Sequence, residues 1–137
     1  MKQTATTRNL ERVQAIYGAF GRGDVSAVLG ALDPEIVWSN AGPADVDYFG
    51  TRRGREEVAE VFAILARDFD IHEFAPLQFF TADDHVAVLL SLRATANHTG
   101  RAIEEELVHV WTLGGDGLVT RMRDIQDSAG VASALRE

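Results

Sequence analysis

Two side chains with complementary acid–base chemistry lie in one short stretch of the chain. His109 stands in Leu-Val-His-Val-Trp-Thr-Leu (107–113) and Asp124 in Val-Thr-Arg-Met-Arg-Asp-Ile-Gln (119–126), separated by a glycine-rich turn, Gly-Gly-Asp-Gly (114–117). An imidazole and a carboxylate within reach of one another can move a proton to or from a carbon next to a carbonyl. Both stretches alternate apolar and polar residues around a turn signal, the pattern of a β-hairpin. A two-residue turn at Asp116-Gly117 is a favoured hairpin type and sets His109 directly opposite Asp124. A four-residue loop, 114–117, sets His109 opposite Met122, with Asp124 one pair along. In either register the two share a face, because strand side chains alternate with period two; only a three- or five-residue loop would separate them. Directly opposite residues have Cβ atoms roughly 4.5–5.5 Å apart, within reach of an imidazole–carboxylate contact.

The preceding hairpin extends the same face. A two-residue turn at Thr99-Gly100 places Leu90 opposite His109, Leu92 opposite Leu107, and Arg93 opposite Glu106 on the other side. One face then carries Val88, Leu90, Leu92, Leu107, His109, Trp111, Met122, Asp124 and Gln126. The other carries Arg93, Thr95, Glu104, Glu106, Val108, Val110, Arg121, Arg123 and Ile125. The first is the more apolar and is the face that helices should cover. A charge there needs a partner, so the histidine and aspartate should satisfy each other. A buried pair of this kind can also be purely structural, fixing strand register. In a cavity it is an acid–base site. Glu105 has inward parity near its strand start and is a spare carboxylate at the rim.

Positioning elements lie upstream. Leu10, Val13, Ile16, Tyr17 and Phe20 recur at helical spacing until Gly21 and Gly23 stop the helix. Residues 1–7 read as a flexible tail, leaving 8–137 as a single domain. Asp24 can cap a second, short helix over 25–32. A strand follows over 35–40, then a turn-rich loop, 41–53, that could serve as a flap. A third helix carries Val58, Val61, Phe62 and Leu65 on one side. Four strands follow from about residue 70. The order helix, helix, strand, helix, antiparallel meander is an α+β fold with helices on one face of a curved sheet.

Composition bounds the function. The chain has 137 residues, is 46% hydrophobic and carries a formal net charge of −8. Its size fits one domain with a real core. The acidic balance argues against nucleic acid or an anionic membrane surface as partner. With no cysteine, disulfides, thiolate catalysis and cysteine metal sites are excluded. No signal-like or spanning apolar run occurs, and a cytoplasmic protein is the expectation. His72, His85 and His98 show no ligand spacing, so no metal site is expected.

The segments 11–40 (ERVQAIYGAFGRGDVSAVLGALDPEIVWSN), 48–65 (YFGTRRGREEVAEVFAIL) and 107–127 together resemble the SnoaL-like, polyketide cyclase-like branch of the NTF2-like superfamily. The resemblance spans roughly residues 9–133. It rests on Tyr17, Phe20, Gly23 and Asp24 in their spacing, the strand entry after Asp33-Pro34, the helix led by Gly54, and the closing hairpin. It implies a cone-shaped α+β barrel with a deep pocket, three N-terminal-half helices on the concave face of the sheet, and a homodimer packed through the outer face at Val108, Val110 and Ile125.

Relatives with this fold suggest different chemistries. The oxyanion-hole tyrosine of ketosteroid isomerases falls on Tyr17. Their catalytic aspartates fall on or beside Ser39 and Asn40, and on His109, so two of three positions differ. No inward arginine on the last three strands matches limonene-epoxide hydrolases, and only His109 could match the histidine pair of scytalone dehydratase. SnoaL-type cyclases pair an aspartate on the final strand with a histidine on the strand before, which is similar in type and place to Asp124 and His109. The resemblance thus implies cofactor-independent cyclase or isomerase chemistry. Asp124 would abstract a proton next to a carbonyl, and His109, with Tyr17, would donate to the enolate oxygen. Phe20, Trp38, Phe62, Leu90, Leu107, Trp111 and Met122 would line an apolar cavity for a small apolar or polycyclic molecule, with Asn40 and Gln126 as orienting groups. The alternative is a non-catalytic ligand-binding or scaffold protein of the same fold.

Overall fold

The computed structural model describes residues 4–136. Helix α1 (Ala5–Gly21) starts earlier than its apolar periodicity, because Thr4 caps it, its side chain accepting from Thr7 N–H. Residues 5–7, expected in the tail, are thus helical, and residues 1–3 lie outside the described residues. Asp24 caps α2 (Val25–Gly30) through Ala27 N–H at 3.1 Å. Then follow β1 (Leu32–Asn40), β2 (Gly50–Arg53), α3 (Gly54–Asp68), β3 (Phe69–Ala82), β4 (His85–Ala96), β5 (Ala102–Leu113), β6 (Val119–Ile125) and α4 (Ser128–Leu135).

Two of these elements have no periodic signal. Strand β2, Gly-Thr-Arg-Arg, lacks any apolar alternation and exists through its pairing with β1. Helix α4 is built of small residues; Asp127 caps it through Gly130 N–H, and Val131, Ala132 and Ala134 are buried.

The six strands form one sheet in the order β2-β1-β6-β5-β4-β3. Neighbours are antiparallel except β1 and β6, which run parallel. The first and last strands of the main sheet thus lie side by side. Val13, Ile16, Val58, Val61, Val88, Leu90 and Trp111 fill the space between helices and sheet, each at most 2% exposed. On the opposite face Val108 and Val110 are half-buried and Ile125 is exposed.

Both hairpins differ from the simplest turn geometry, and both keep the faces. In the β5–β6 turn, Gly114 N–H donates to Leu118 O at 2.9 Å, and Gly117 adopts φ 81°. This leaves three residues in the loop, a length that alone would put His109 and Asp124 on opposite faces. A register shift then intervenes: Leu113 pairs with Val119, but Thr112 pairs with Arg121. Thr120 is the extra residue of a β-bulge, and it restores the pairing of His109 with Asp124. In the β4–β5 turn four residues, 97–100, separate Ala96 from Arg101, with Gly100 at φ 74°. The register is two residues away from that of a two-residue turn. Val88, not Leu90, faces His109; Leu90 faces Leu107; and Arg93 faces Glu104 rather than Glu106. A shift of two preserves the side on which every residue points.

Leu90 is fully buried. Leu90→Ala is expected to lower unfolding free energy by about 2–5 kcal/mol, the usual cost of a leucine-sized core void. Urea denaturation followed by circular dichroism measures it. A loss under about 1 kcal/mol would mean that the site collapses around the smaller side chain.

Candidate functional site

Three adjacent strands each deliver one polar side chain at the same level. Asn40 of β1 is the register partner of Asp124 of β6, which is the register partner of His109 of β5. One step along, Trp38, Met122 and Trp111 form the next row. Helix α1 brings Tyr17 and Phe20 over these rows, and α3 brings Val61 and Phe62. The segment 41–49 contributes Tyr48, a residue that sequence periodicity could not flag because its loop has none. Its only signal was an aromatic in a turn-rich loop just after Asn40.

The polar groups form two connected sets. In the first, Trp111 Nε1–H donates to the Tyr17 hydroxyl oxygen at 2.9 Å, and the Tyr17 hydroxyl lies 2.7 Å from His109 Nδ1. Trp111 fills one lone pair of the Tyr17 oxygen; the arrangement that also spends the buried Tyr17 proton sends it to His109 Nδ1 and leaves the neutral imidazole's own proton on Nε2. In the second set, Asp124 Oδ2 accepts from Asn40 Nδ2 at 2.7 Å, Gln126 Nε2 at 2.7 Å and the Tyr48 hydroxyl at 3.0 Å. Asn40 is itself oriented by Trp38 Nε1–H at 3.0 Å.

The sets meet where His109 Nε2 lies 3.6 Å from Asp124 Oδ1, with the two side chains only 8% and 2% exposed. That separation is too long for a normal hydrogen bond. Asp124 Oδ1 is buried and has no hydrogen-bond partner.

Burial governs the titrations. It lowers the His109 pKa below the ordinary histidine value, with the Asp124 charge opposing, so the ring is neutral at physiological pH. Burial raises both tyrosines, opposed at Tyr17 by the Trp111 hydrogen bond and reinforced at Tyr48 by Asp124. Glu105 is pushed up to about 7, first by burial and then by the Asp124 and Asp127 charges.

Since Glu105 holds its proton more tightly folded than unfolded, it contributes stability at pH below its unfolded value that is lost as pH rises through about 7. Glu105→Gln is therefore expected to flatten the fall in Tm between pH 5 and pH 8 and to leave a variant more stable than wild type at the upper end. Thermal melts across that range measure it, and parallel curves for the two proteins would refute the assignment.

The rows enclose a cavity of about 390 Å³, in the range of small-molecule sites. Of the residues expected to line it, Phe20, Trp38, Asn40, Phe62, Leu107, His109, Met122, Asp124 and Gln126 do so. Tyr48, Leu65, Phe69, Phe74, Ile103 and Val131 also line it.

Tyr17, Leu90 and Trp111 lie outside the lining. Leu90 and Trp111 are fully buried in the core, and the Tyr17 hydroxyl is occupied by Trp111 and His109. Tyr17 is therefore placed to orient the imidazole, and of the two it is His109 that borders the cavity. Glu105, inward by parity, is also outside the lining.

The Tyr48 segment is strapped down by arginines. Arg52 donates to the carbonyl oxygens of Asp47 and Tyr48, Arg67 pairs with Asp47 at 2.9 Å, and Arg136 pairs with Asp45 at 2.8 Å. No group of three or more His, Asp or Glu among the described residues is placed to hold a metal ion. No helix among them is long and apolar enough to cross a membrane.

Solved structures share this architecture across almost the whole chain. An NTF2-like protein of unknown function from Burkholderia pseudomallei superposes with a TM-score of 0.86 at 28% identity, covering 95% of this chain and 98% of that one. An NTF2-like protein from Burkholderia xenovorans gives 0.85 at 25% identity, covering 96% and 98%. TerC, co-crystallized with polyporic acid, gives 0.81 at 26% identity, covering 95% and 99%. No curated protein matches the sequence significantly. The sequence matches the SnoaL-like domain over residues 13–122. With that match and this α+β architecture, the chain belongs to the SnoaL-like family of NTF2-like folds.

Proposed function

We propose that the protein binds a small apolar carbonyl compound in its cone and moves a proton at the carbon next to the carbonyl, as a cofactor-independent cyclase or isomerase would. One observation carries the reading. Where the two hydrogen-bonded sets meet, one donor and one acceptor are unspent, His109 Nε2–H and Asp124 Oδ1, and they lie 3.6 Å apart. In this reading Asp124 Oδ1 takes the carbon-bound proton and His109 Nε2–H stabilises the oxygen on which charge develops. Tyr17 and Trp111 fix the imidazole tautomer, while Asn40, Gln126 and Tyr48 hold the carboxylate. The aromatic walls supply orientation, which for an intramolecular closure is much of the catalysis.

Membership in the family and the ligand complex of TerC support a small-molecule pocket. The outward Val108, Val110 and Ile125, together with Phe80 at 50% exposure, support a homodimer through the outer sheet face. The acidic composition supports a protein without nucleic-acid or anionic-membrane partners. A second reading, ligand capture without turnover, draws on the depth of the pair: at 8% and 2% side-chain exposure, it could simply anchor a bound molecule.

Hydrogen–deuterium exchange separates the two. A bicyclic ketone such as 2-tetralone is incubated with the protein in D₂O, and loss of its α-proton signals is followed by NMR. Acceleration over buffer that disappears in Asp124→Asn supports proton transfer. Binding with no acceleration supports capture, and the enzyme reading is then wrong.

A further inference from the structure

The cavity is specific about the kind of polar group it can accept. Among the described residues its lining includes no lysine or arginine, while Asp124 and Glu73 are both there. A ligand carboxylate or phosphate would enter without a counter-charge and beside existing negative charge. Where the two hydrogen-bonded sets meet, one donor, His109 Nε2–H, and one acceptor, Asp124 Oδ1, are left unspent side by side at 3.6 Å.

A ketone oxygen can accept from the first but leaves the second bare. An ether oxygen has the same defect. A hydroxyl does both: its oxygen accepts from Nε2–H while its proton goes to Oδ1. Two atoms 3.6 Å apart can both lie at about 2.8 Å from a single oxygen set between them, the normal hydrogen-bond length. The hydroxyl would replace a long, weak contact with two short bonds.

We propose that the ligand this cavity selects is a neutral ring compound bearing a phenol or enol hydroxyl, held between His109 Nε2 and Asp124 Oδ1. The inference rests on the reading of the cone as a small-molecule pocket and adds the chemical class of its occupant. It also states which tautomer of a carbonyl substrate is held. The enol, formed when the proton that Asp124 Oδ1 takes from carbon is passed on to the oxygen and the carboxylate is restored, satisfies both groups, and the ketone satisfies one. An un-ionised phenol mimics that enol without being able to turn over.

The test is a matched series on one ring system, measured by isothermal titration calorimetry at neutral pH: 2-naphthol, 2-methoxynaphthalene, naphthalene and 2-naphthoate. In the wild-type protein 2-naphthol is expected to bind at least about tenfold more tightly than 2-methoxynaphthalene, which leaves a buried acceptor unpaired. Naphthalene should be weaker still and 2-naphthoate weakest.

In Asp124→Asn the three donors on Oδ2 keep the amide oxygen at that position and turn the amide NH₂ toward His109, so a donor replaces the acceptor. The preference for naphthol over its methyl ether should then vanish. Equal affinity of the two in wild type overturns the inference and leaves the pocket reading standing, as does tightest binding by 2-naphthoate. Failure of every ring to bind overturns both.

Discussion

Asp124→Asn is expected to slow exchange at the α-carbon of a bound cyclic ketone by about 10²–10⁴-fold, the usual contribution of a positioned general base, while the fold survives. The second half follows from the surroundings of the side chain. Asparagine keeps an oxygen to accept from Asn40, Gln126 and Tyr48, which converge on Oδ2 at 2.7–3.0 Å. What changes is the other position. An amide NH₂ would face His109 Nε2–H across 3.6 Å, donor against donor, and neither could abstract a carbon-bound proton. Circular dichroism and thermal melts establish that the variant is folded, and the exchange rate then reads the chemistry alone. A folded Asp124→Asn protein with wild-type exchange would remove Asp124 from the mechanism.

Tyr17→Phe should produce the largest change in the state of the histidine itself. Its hydroxyl satisfies two buried groups at once, Trp111 Nε1 and His109 Nδ1. Removing it strands a donor in a fully buried tryptophan and frees Nδ1. Each orphaned group costs about 1–3 kcal/mol, so a stability loss of roughly 2–5 kcal/mol is expected. A purely structural tyrosine would show that loss too.

The distinguishing measurement is the ring ¹⁵N NMR spectrum of His109. Wild type should show one tautomer, protonated on Nε2. In the variant the proton should distribute between the nitrogens or move to Nδ1, with exchange activity falling in step. An unchanged ¹⁵N pattern would mean that some other group sets the tautomer.

Much of this site can be read from alternation alone. Side-chain parity put His109, Asp124, Met122 and Leu107 on one face for any even turn, and it also pointed Glu105 inward. Helical spacing on α1 and α3 brought Tyr17, Phe20 and Phe62 to the same side. Register was harder, because it depends on turn backbone that composition only restricts. Gly114-Gly115-Asp116-Gly117 allows two-, three- and four-residue loops alike. The protein uses the three-residue one and restores the pairing with a bulge at Thr120, a combination with no signature in residue type.

Tyr48, β2 and α4 were hidden for a related reason. Tyr48 reaches Asp124 because arginines from β2, α3 and the end of α4 hold its loop in place, and such contacts leave no local period. The place of Tyr17, beside the cavity but outside its lining, illustrates another limit. Helical spacing can say that a residue points inward, but not whether it meets a cavity or the far side of another ring.

The parallel pairing of β1 with β6 has a consequence for the birth of the protein on the ribosome. Asn40 and Asp124 are hydrogen-bonded across 84 residues of chain, and Tyr17 meets His109 across 92. Contacts of such long sequence separation pay their loop-closure entropy late. The growing chain could assemble its helices and the β3–β5 meander, yet its concave apolar face would have a gap between β1 and β5 until β6 emerged from the exit tunnel. Up to that moment the nascent chain would expose both an open strand edge and the future ligand-binding wall, the kind of surface that draws chaperones or neighbouring chains. A complete pocket and protection from aggregation would therefore arrive in the same step, when the strand that carries Asp124 closes the sheet.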